Sequence, residues 1–402
     1  MVKKPHIGEV DYLRVFGLIT IVILHVYGFY LAMPVNNPYS HIFHELTINL
    51  LRFGRQLFMF ITGLVLFHSY SKRKLDISRF FNRRLKNLVI PYAIWTAIYL
   101  YIKHFSHMVD WSNGFEFVII WVQNLLNGNG FIHLYYILVG VQFYVFFPLL
   151  ITFFKPKQLH PTKLLIILFS GLLLYIVYFY LFEQQKALTL SLLNGTPWSD
   201  SIRWVMIKKD RLLLSYLPYY LLGGMVGLNL EAWRQWLTKH QKIVVVSFII
   251  TTSWVVGEYF YLYRYLGQAW ALTISVFKPS IYLYSLTVIA LLFNISIYLE
   301  KKNYMRHIIS PLAANSLGIY LIHPAVLFFF NSFLLRYLTM PGYMLVIFQP
   351  IAIVGISYII STLLSNSNST RFIVGEAGNI QQQQIYLLTQ KPNTSQINNF
   401  MS

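Results

Sequence analysis

Residues 10–33 read VDYLRVFGLITIVILHVYGFYLAM, a run in which Asp11, Arg14 and His25 are the only charged or imidazole side chains. As a helix rising about 1.5 Å per residue, the run covers the roughly 30 Å hydrocarbon core of a bilayer. It is too long for the apolar core of a cleaved signal and has no small-residue cleavage site, so it reads as a retained first span. Nine further segments pass the same test, at 49–70, 85–104, 133–154, 163–182, 211–230, 242–262, 271–298, 312–335 and 342–364. The amphipathic stretch 115–126 is too short to cross and reads as interfacial or re-entrant. No internal repeat is visible, which weighs against an inverted-repeat transporter.

The composition agrees. Of 402 residues, 56% are hydrophobic, 18% aromatic and 11% charged, and mean hydropathy is +0.55. A soluble domain carries about 25% charged residues, so this chain lacks the polar coat of a soluble enzyme, a disordered protein or a nucleic-acid-binding domain. The fold class expected is an all-α polytopic integral membrane protein, about ten transmembrane helices in one bundle. Its transmembrane domain is expected over 1–364, followed by a polar, disordered cytoplasmic tail over 365–402 that includes Gln381–Gln384. With no cysteine, the chain has no disulfide, thiolate nucleophile or cysteine-based metal site.

Lys and Arg number 32 against 13 Asp and Glu, a net charge of +19. The surplus lies in short segments between apolar runs, where it sets orientation and touches anionic lipid. With the N-terminus inside, twenty cations fall in inside segments and eight in outside ones, which places both termini in the cytoplasm of a plasma membrane, with a bacterial source expected. Acids are nearly missing from the expected spans, Asp11 and Glu258 coming close only at the edges. A cation-coupled carrier therefore lacks its usual carboxylate, and histidine is left as the intramembrane proton carrier.

Arg14 and His25 are eleven residues apart. At about 100° per residue this falls within about 20° of three full turns, on one helix face and about 16 Å apart along the axis. One reading is a phosphate-binding group at the cytoplasmic mouth with a general base deeper on the same line. The other is a snorkelling arginine and a histidine hydrogen-bonded to a neighbouring helix. Arg79, Arg83 and Arg84, ahead of Pro91, either clamp a polyanion or fix topology. Ser316, Tyr320 and His323 form a polar stripe before the helix-kinking Pro324, either lining a tunnel or gluing helices together. His133, Tyr135, Tyr136, Gln142 and Tyr144 are read near the outer face, His133 as an acceptor-side contact. Arg52 and Arg55, near the outer end of the second span, either bind an anionic or sugar ligand or snorkel.

Taken in order, these motifs resemble the membrane-bound acyltransferase-3 family, which O-acylates cell-surface glycans and lipids. The resemblance rests on Arg14 and His25 at their spacing, Phe58-Met-Phe-Ile-Thr-Gly63, Arg79…Arg83-Arg84…Pro91, His133-Leu-Tyr-Tyr136 and Ser316-Leu-Gly-Ile-Tyr320-Leu-Ile-His323-Pro324. It spans about residues 9–364; Thr62 and Tyr135 depart from the family's usual Ser and Trp, and the hydrolase-like domain of some members has no counterpart here. It implies acyl-CoA as co-substrate, acetyl-CoA foremost, and a glycan or lipid-linked sugar as acceptor. Catalysis falls to His25 as base, with Arg14 anchoring the donor. Arg83 or Arg84 would contact a coenzyme A phosphate; Arg79, Ser316, Tyr320 and His323 are also expected on the coenzyme A side, His133, Tyr136, Arg52 and Arg55 are expected to bind acceptor, and Asp11, Gly63 and Pro91 are expected to be structural. No metal is expected, because no carboxylate–histidine cluster sits in the spans. The family includes proteins of polysaccharide intercellular adhesin loci described as exporters, so a non-enzymatic export component is the competing reading.

Overall fold

The computed structural model describes residues 6–31, 38–71, 75–154, 161–267, 270–333 and 342–375. Among them every regular element is helical: α1 (Gly8–Leu31), α2 (Pro38–Leu51), α3 (Gly54–Tyr70), α4 (Ile77–Phe105), α5 (Gly114–Asn127), α6 (Tyr135–Phe154), α7 (Pro161–Ile176), α8 (Lys186–Leu193) and α9 (Ser199–Lys208). Then follow α10 (Leu217–Leu228), α11 (Leu230–Lys239), α12 (Gln241–Phe260), α13 (Trp270–Thr273), α14 (Pro279–Lys301), α15 (Arg306–Ala314), α16 (Ser316–Ser332) and α17 (Gly342–Asn366). Among the described residues, eight helices are long and apolar enough to cross a membrane, and α15 with α16, a pair bent by 77°, makes nine when counted as one broken span. The chain is an all-α polytopic membrane protein.

The sixth expected span, 211–230, is shorter than expected but still joins the two ends of the bundle, with Lys209 beside Glu183 at one and Arg234 beside Glu9 at the other. Two short 3-10 turns lead into α10, whose 12 residues reach only about 18 Å. This helix is an interior strut whose glycines meet α3 backbone to backbone. A Cβ on Gly63 would fall 2.0 Å from the Tyr220 carbonyl oxygen, one on Gly223 2.0 Å from that of Phe60, and one on Gly227 2.3 Å from that of Leu64. Small residues allow such an approach, and dispersion and backbone contacts then hold the pair without a hydrophobic driving force.

Three further expectations are corrected. The second span runs over Ile42–Tyr70, through a turn at Arg52 and Phe53, and so takes in Glu45. The fifth continues past α7 in π-helical geometry to Gln184 and takes in Glu183. The segment 271–298 becomes the short α13, a break, and α14, because Lys278 is extended and Pro279 opens the new helix, where its missing N–H costs nothing. The packed chain also passes residue 364. The Trp95 indole donates to the Ile373 carbonyl at 2.9 Å and Val374 is buried; the Gln381–Gln384 run lies outside the described residues.

Helix α1 is the axis of the bundle, touching α2, α3, α14, α15, α16 and α17. Its first turn is pinned by Glu9, whose carboxylate accepts from Arg234 Nε at 2.7 Å and Nη2 at 2.9 Å. Those bonds raise the pKa of the Arg234 guanidinium, which lies outside the spans on α11. The Tyr12 hydroxyl donates to the Tyr304 carbonyl at 2.8 Å. Amphipathic α5 is a peripheral helix capped by the Asn113 side chain and tied to α4 by the Trp121 indole on the Ala93 carbonyl and the Tyr92 hydroxyl on that of Leu125.

Candidate active site

Three cavities follow α1. At its N-terminal end, a cavity of about 600 Å³ is lined by Arg14 from α1, Arg83 and Arg84 from α4, Tyr144 from α6 and Ser316 from α16. Asp11 is the one acid in its wall, and that carboxylate is engaged by His6 Nε2 at 2.6 Å. Three guanidinium groups against one occupied carboxylate make a receptor for a polyanion such as a phosphate chain. Tyr136 and Tyr320 line this cavity and also a central chamber of about 180 Å³ that holds His25, Arg52, Arg55 and His133. His25 and Arg52 in turn line a third cavity of about 740 Å³ at the C-terminal end of α1. The shared walls order the three spaces along one line, with the tyrosine pair at the neck.

Two further imidazoles stand beside His25. Ring centres lie 5.2 Å from His25 to His323, 6.2 Å from His25 to His133 and 5.4 Å between His133 and His323. Pro324 explains how His323 is held. Lacking an N–H, it leaves the Tyr320 carbonyl without its helical donor, and His323 Nδ1 takes that oxygen at 2.8 Å, with the Ile319 carbonyl at 3.2 Å. Carbonyls only accept, so the proton sits on Nδ1; Nε2 is then a bare lone pair, buried and without a partner. One residue on, the ladder is opened by Tyr99, whose hydroxyl donates to the Leu321 carbonyl at 2.7 Å and accepts from Ala325 N at 3.2 Å. The Tyr320 hydroxyl donates to the His133 carbonyl at 2.5 Å, and that of Tyr136 to the Arg55 carbonyl at 2.6 Å. Arg55 itself bonds the Tyr135 hydroxyl. Among the described residues, no group of three or more His, Asp or Glu side chains is placed to hold a metal ion.

The residues singled out in the sequence thus divide. Arg14, Arg83, Arg84, Ser316, Tyr320 and Tyr136 share the basic cavity; His25, His133, Arg52 and Arg55 share the central chamber. Arg79 stands apart: its side chain is 77% exposed and lies by Asp76, which caps α4 by accepting from Arg79 N. His323 lines none of these cavities and belongs with the imidazoles rather than with the basic mouth. Arg52 and Arg55 lie mid-way along the Ile42–Tyr70 span, not near an end, because the helical chain starts well before residue 49. Tyr144 faces the basic cavity, two turns beyond Tyr136, and not the outer face with His133. Pro91 is buried inside α4, and Gly63 is the close-contact residue against α10.

Sequence reasoning missed Tyr99 and a second polar network. Lys278, fully buried, donates to the Thr273 carbonyl at 2.8 Å and pairs with Glu258 at 3.4 Å. Lys209 pairs with Glu183 at 3.3 Å, and the Tyr259 hydroxyl donates to Glu45 at 2.5 Å. Glu45 and Glu183 fell outside the expected span boundaries and Glu258 near the edge of one, so the near absence of intramembrane carboxylates does not hold.

No solved structure matches the chain. Two curated relatives are similar to it. The probable poly-beta-1,6-N-acetyl-D-glucosamine export protein of Staphylococcus aureus (strain MW2) is 23% identical over 281 residues, 69% of this chain and 70% of its own. The protein of the same name from Staphylococcus epidermidis is 23% identical over 331 residues, 79% and 81% of the two chains. The family Acyl_transf_3, described as an acyltransferase domain, matches residues 7–365, nearly all of the membrane-embedded bundle. The chain belongs to that acyltransferase family.

Proposed function

We propose that this protein is an integral membrane O-acyltransferase that moves an acyl group, acetyl foremost, from cytoplasmic acyl-CoA to a hydroxyl of a cell-surface glycan or lipid-linked sugar. The observation that carries the reading is the alignment of the three cavities. An arginine-lined cavity suits the phosphates of coenzyme A, the Tyr136–Tyr320 neck admits its narrow pantetheine arm, and His25 stands in the chamber beyond. The acceptor reaches His25 from the opposite cavity. His25 removes the proton from the acceptor hydroxyl as its oxygen attacks the thioester carbonyl. The C–S bond breaks, the thiolate leaves with the electron pair, and the proton returns from His25 to give the free thiol. Arg14, Arg83 and Arg84 hold the donor, and His133, Tyr136, Arg52 and Arg55 form the acceptor side of the chamber. Both termini lie in the cytoplasm of a bacterial plasma membrane.

The printed names of the relatives support a second reading, a component of polysaccharide export. Purified protein in lipid nanodiscs, supplied with radiolabelled acetyl-CoA, separates the two. A transferase consumes the thioester, and a His25→Ala variant that inserts normally does not. Full turnover in that variant overturns the assignment of the base, and absence of turnover by the wild type supports export.

A further inference from the structure

We infer that the 740 Å³ cavity binds an anionic amphiphile: an apolar chain fills it, and a phosphate-type head reaches Arg52 at its border with the central chamber. The inference rests on the acyltransferase reading for its meaning, since it names the acceptor as a lipid-borne molecule, but not for its test.

The first observation is the wall. Apart from His25, Arg52, Asn331 and Ser332, the cavity is lined by Leu, Ile, Phe, Met, Pro and Gly side chains, and the Asn331 amide oxygen is already engaged by Gln349 at 2.6 Å. A sugar polymer entering here loses water from every hydroxyl and finds almost no partner in return, an unfavourable exchange. A hydrocarbon chain loses nothing. The volume also lies within the usual range of small-molecule sites, roughly 300–1,000 Å³.

The second observation is independent of the wall. Arg52 makes no hydrogen bond or ion pair within 4 Å among the described residues, and its Nε is buried without a partner. It lines both the central chamber and the apolar cavity. A guanidinium left uncompensated at membrane depth is costly, and such groups face an anion or a water-filled cavity. Its neighbour Arg55 is held by Tyr135, which leaves Arg52 as the free cation at the border. An anion placed there lies beside His25, so the head group of the bound amphiphile delivers a hydroxyl to the base. The apolar tail remains behind in the cavity.

Gly28 supplies a clean test. It lines the cavity, and a Cβ built on it meets nothing within 4 Å, so a larger side chain occupies the cavity without a clash at its first atom. The full chain in phosphatidylcholine nanodiscs is titrated with dodecyl phosphate, dodecanol and inorganic phosphate, with thermal shift as the readout and no acyl-CoA present. Wild type is expected to bind dodecyl phosphate at least about tenfold more tightly than either fragment, a gap set by one charge-assisted contact. Gly28→Phe should abolish the advantage over inorganic phosphate, and Arg52→Gln the advantage over dodecanol. Equal binding of dodecyl phosphate and dodecanol by wild type overturns the anionic head; unchanged binding by Gly28→Phe overturns the chain site. Should Arg52→Gln fail to insert, Arg52→Lys keeps the charge but loses the fork, and is expected to bind with intermediate affinity. These outcomes stand whether or not acetyl-CoA is turned over, so failure here and failure of the acyltransferase reading are distinct.

Discussion

His323 carries a role that no motif spelled out. Its Nδ1–H is fixed by the carbonyl that Pro324 sets free, so its Nε2 must accept, and its ring touches that of His25. In the proposed mechanism, the imidazolium formed when His25 takes a proton from the acceptor finds a lone pair beside it. His323→Phe keeps the ring volume and removes that lone pair. It should lower kcat about tenfold or more, as expected for a residue that orients a base, and leave KM for acyl-CoA unchanged, because His323 is not in the basic cavity. Equal kcat in the variant sinks the idea. The arginines give the opposite signature. Arg83→Ala or Arg84→Ala should raise KM for acyl-CoA about tenfold at low salt, less at high salt, where screening already weakens the wild-type contact. Arg79→Ala should match wild type, since Arg79 faces away beside Asp76. Spacing alone could not separate Arg79 from Arg83, because residues four apart share a helix face and only the packing of neighbouring helices decides which is covered.

At the scale of elements, the glycines of α3 and α10 set the position of everything else on α3. Gly63→Val directs its side chain at the Tyr220 carbonyl, 2.0 Å from where Cβ must sit, against backbone that cannot yield like a side-chain tip. The expected loss is about 3 kcal/mol, read as a fall in thermal unfolding temperature in detergent and reduced abundance in the membrane. Gly28→Ala, on the open face of α1, should be neutral or slightly stabilising by comparison. This contrast marks what the sequence could tell. Long uninterrupted runs such as residues 10–33 identify themselves because apolar length is the signal. Residues 211–230 read as a full span because the flanks of Leu217–Leu228 are apolar too, yet tertiary packing replaces length with close contact. The second span begins before the expected residue 49 for the opposite reason. Glu45 lowers the apolar score of its segment, but Tyr259 satisfies the carboxylate inside the bundle, a partner more than two hundred residues away that no local window contains.

At the scale of the whole molecule, the reading depends on which end of the cavity line faces the cytoplasm, since acyl-CoA is made there and Arg14, Arg83 and Arg84 sit at one end. The proposed orientation puts that end inside, on the expectation from charge: the basic segments flank the N-terminal end of α1 and the start of α4, while the far side is poorer in cations. The chain has no cysteine, so single cysteines report orientation without a background. Ser78, exposed at the start of α4, belongs to the basic end; Asn194, exposed after α8, belongs to the other. In intact cells a membrane-impermeant maleimide should label Asn194→Cys at once, and Ser78→Cys only after permeabilisation. The reverse pattern turns the arginine cavity outward, where no acyl-CoA is available, and removes the donor route even if every side chain stays where the fold puts it. Labelling of both positions in intact cells also counts against a sealed bundle. Adding acetyl-CoA to permeabilised cells should then slow the labelling of a cysteine placed at Thr62 in the basic cavity, which ties the orientation of the protein to occupation of its donor site in one measurement.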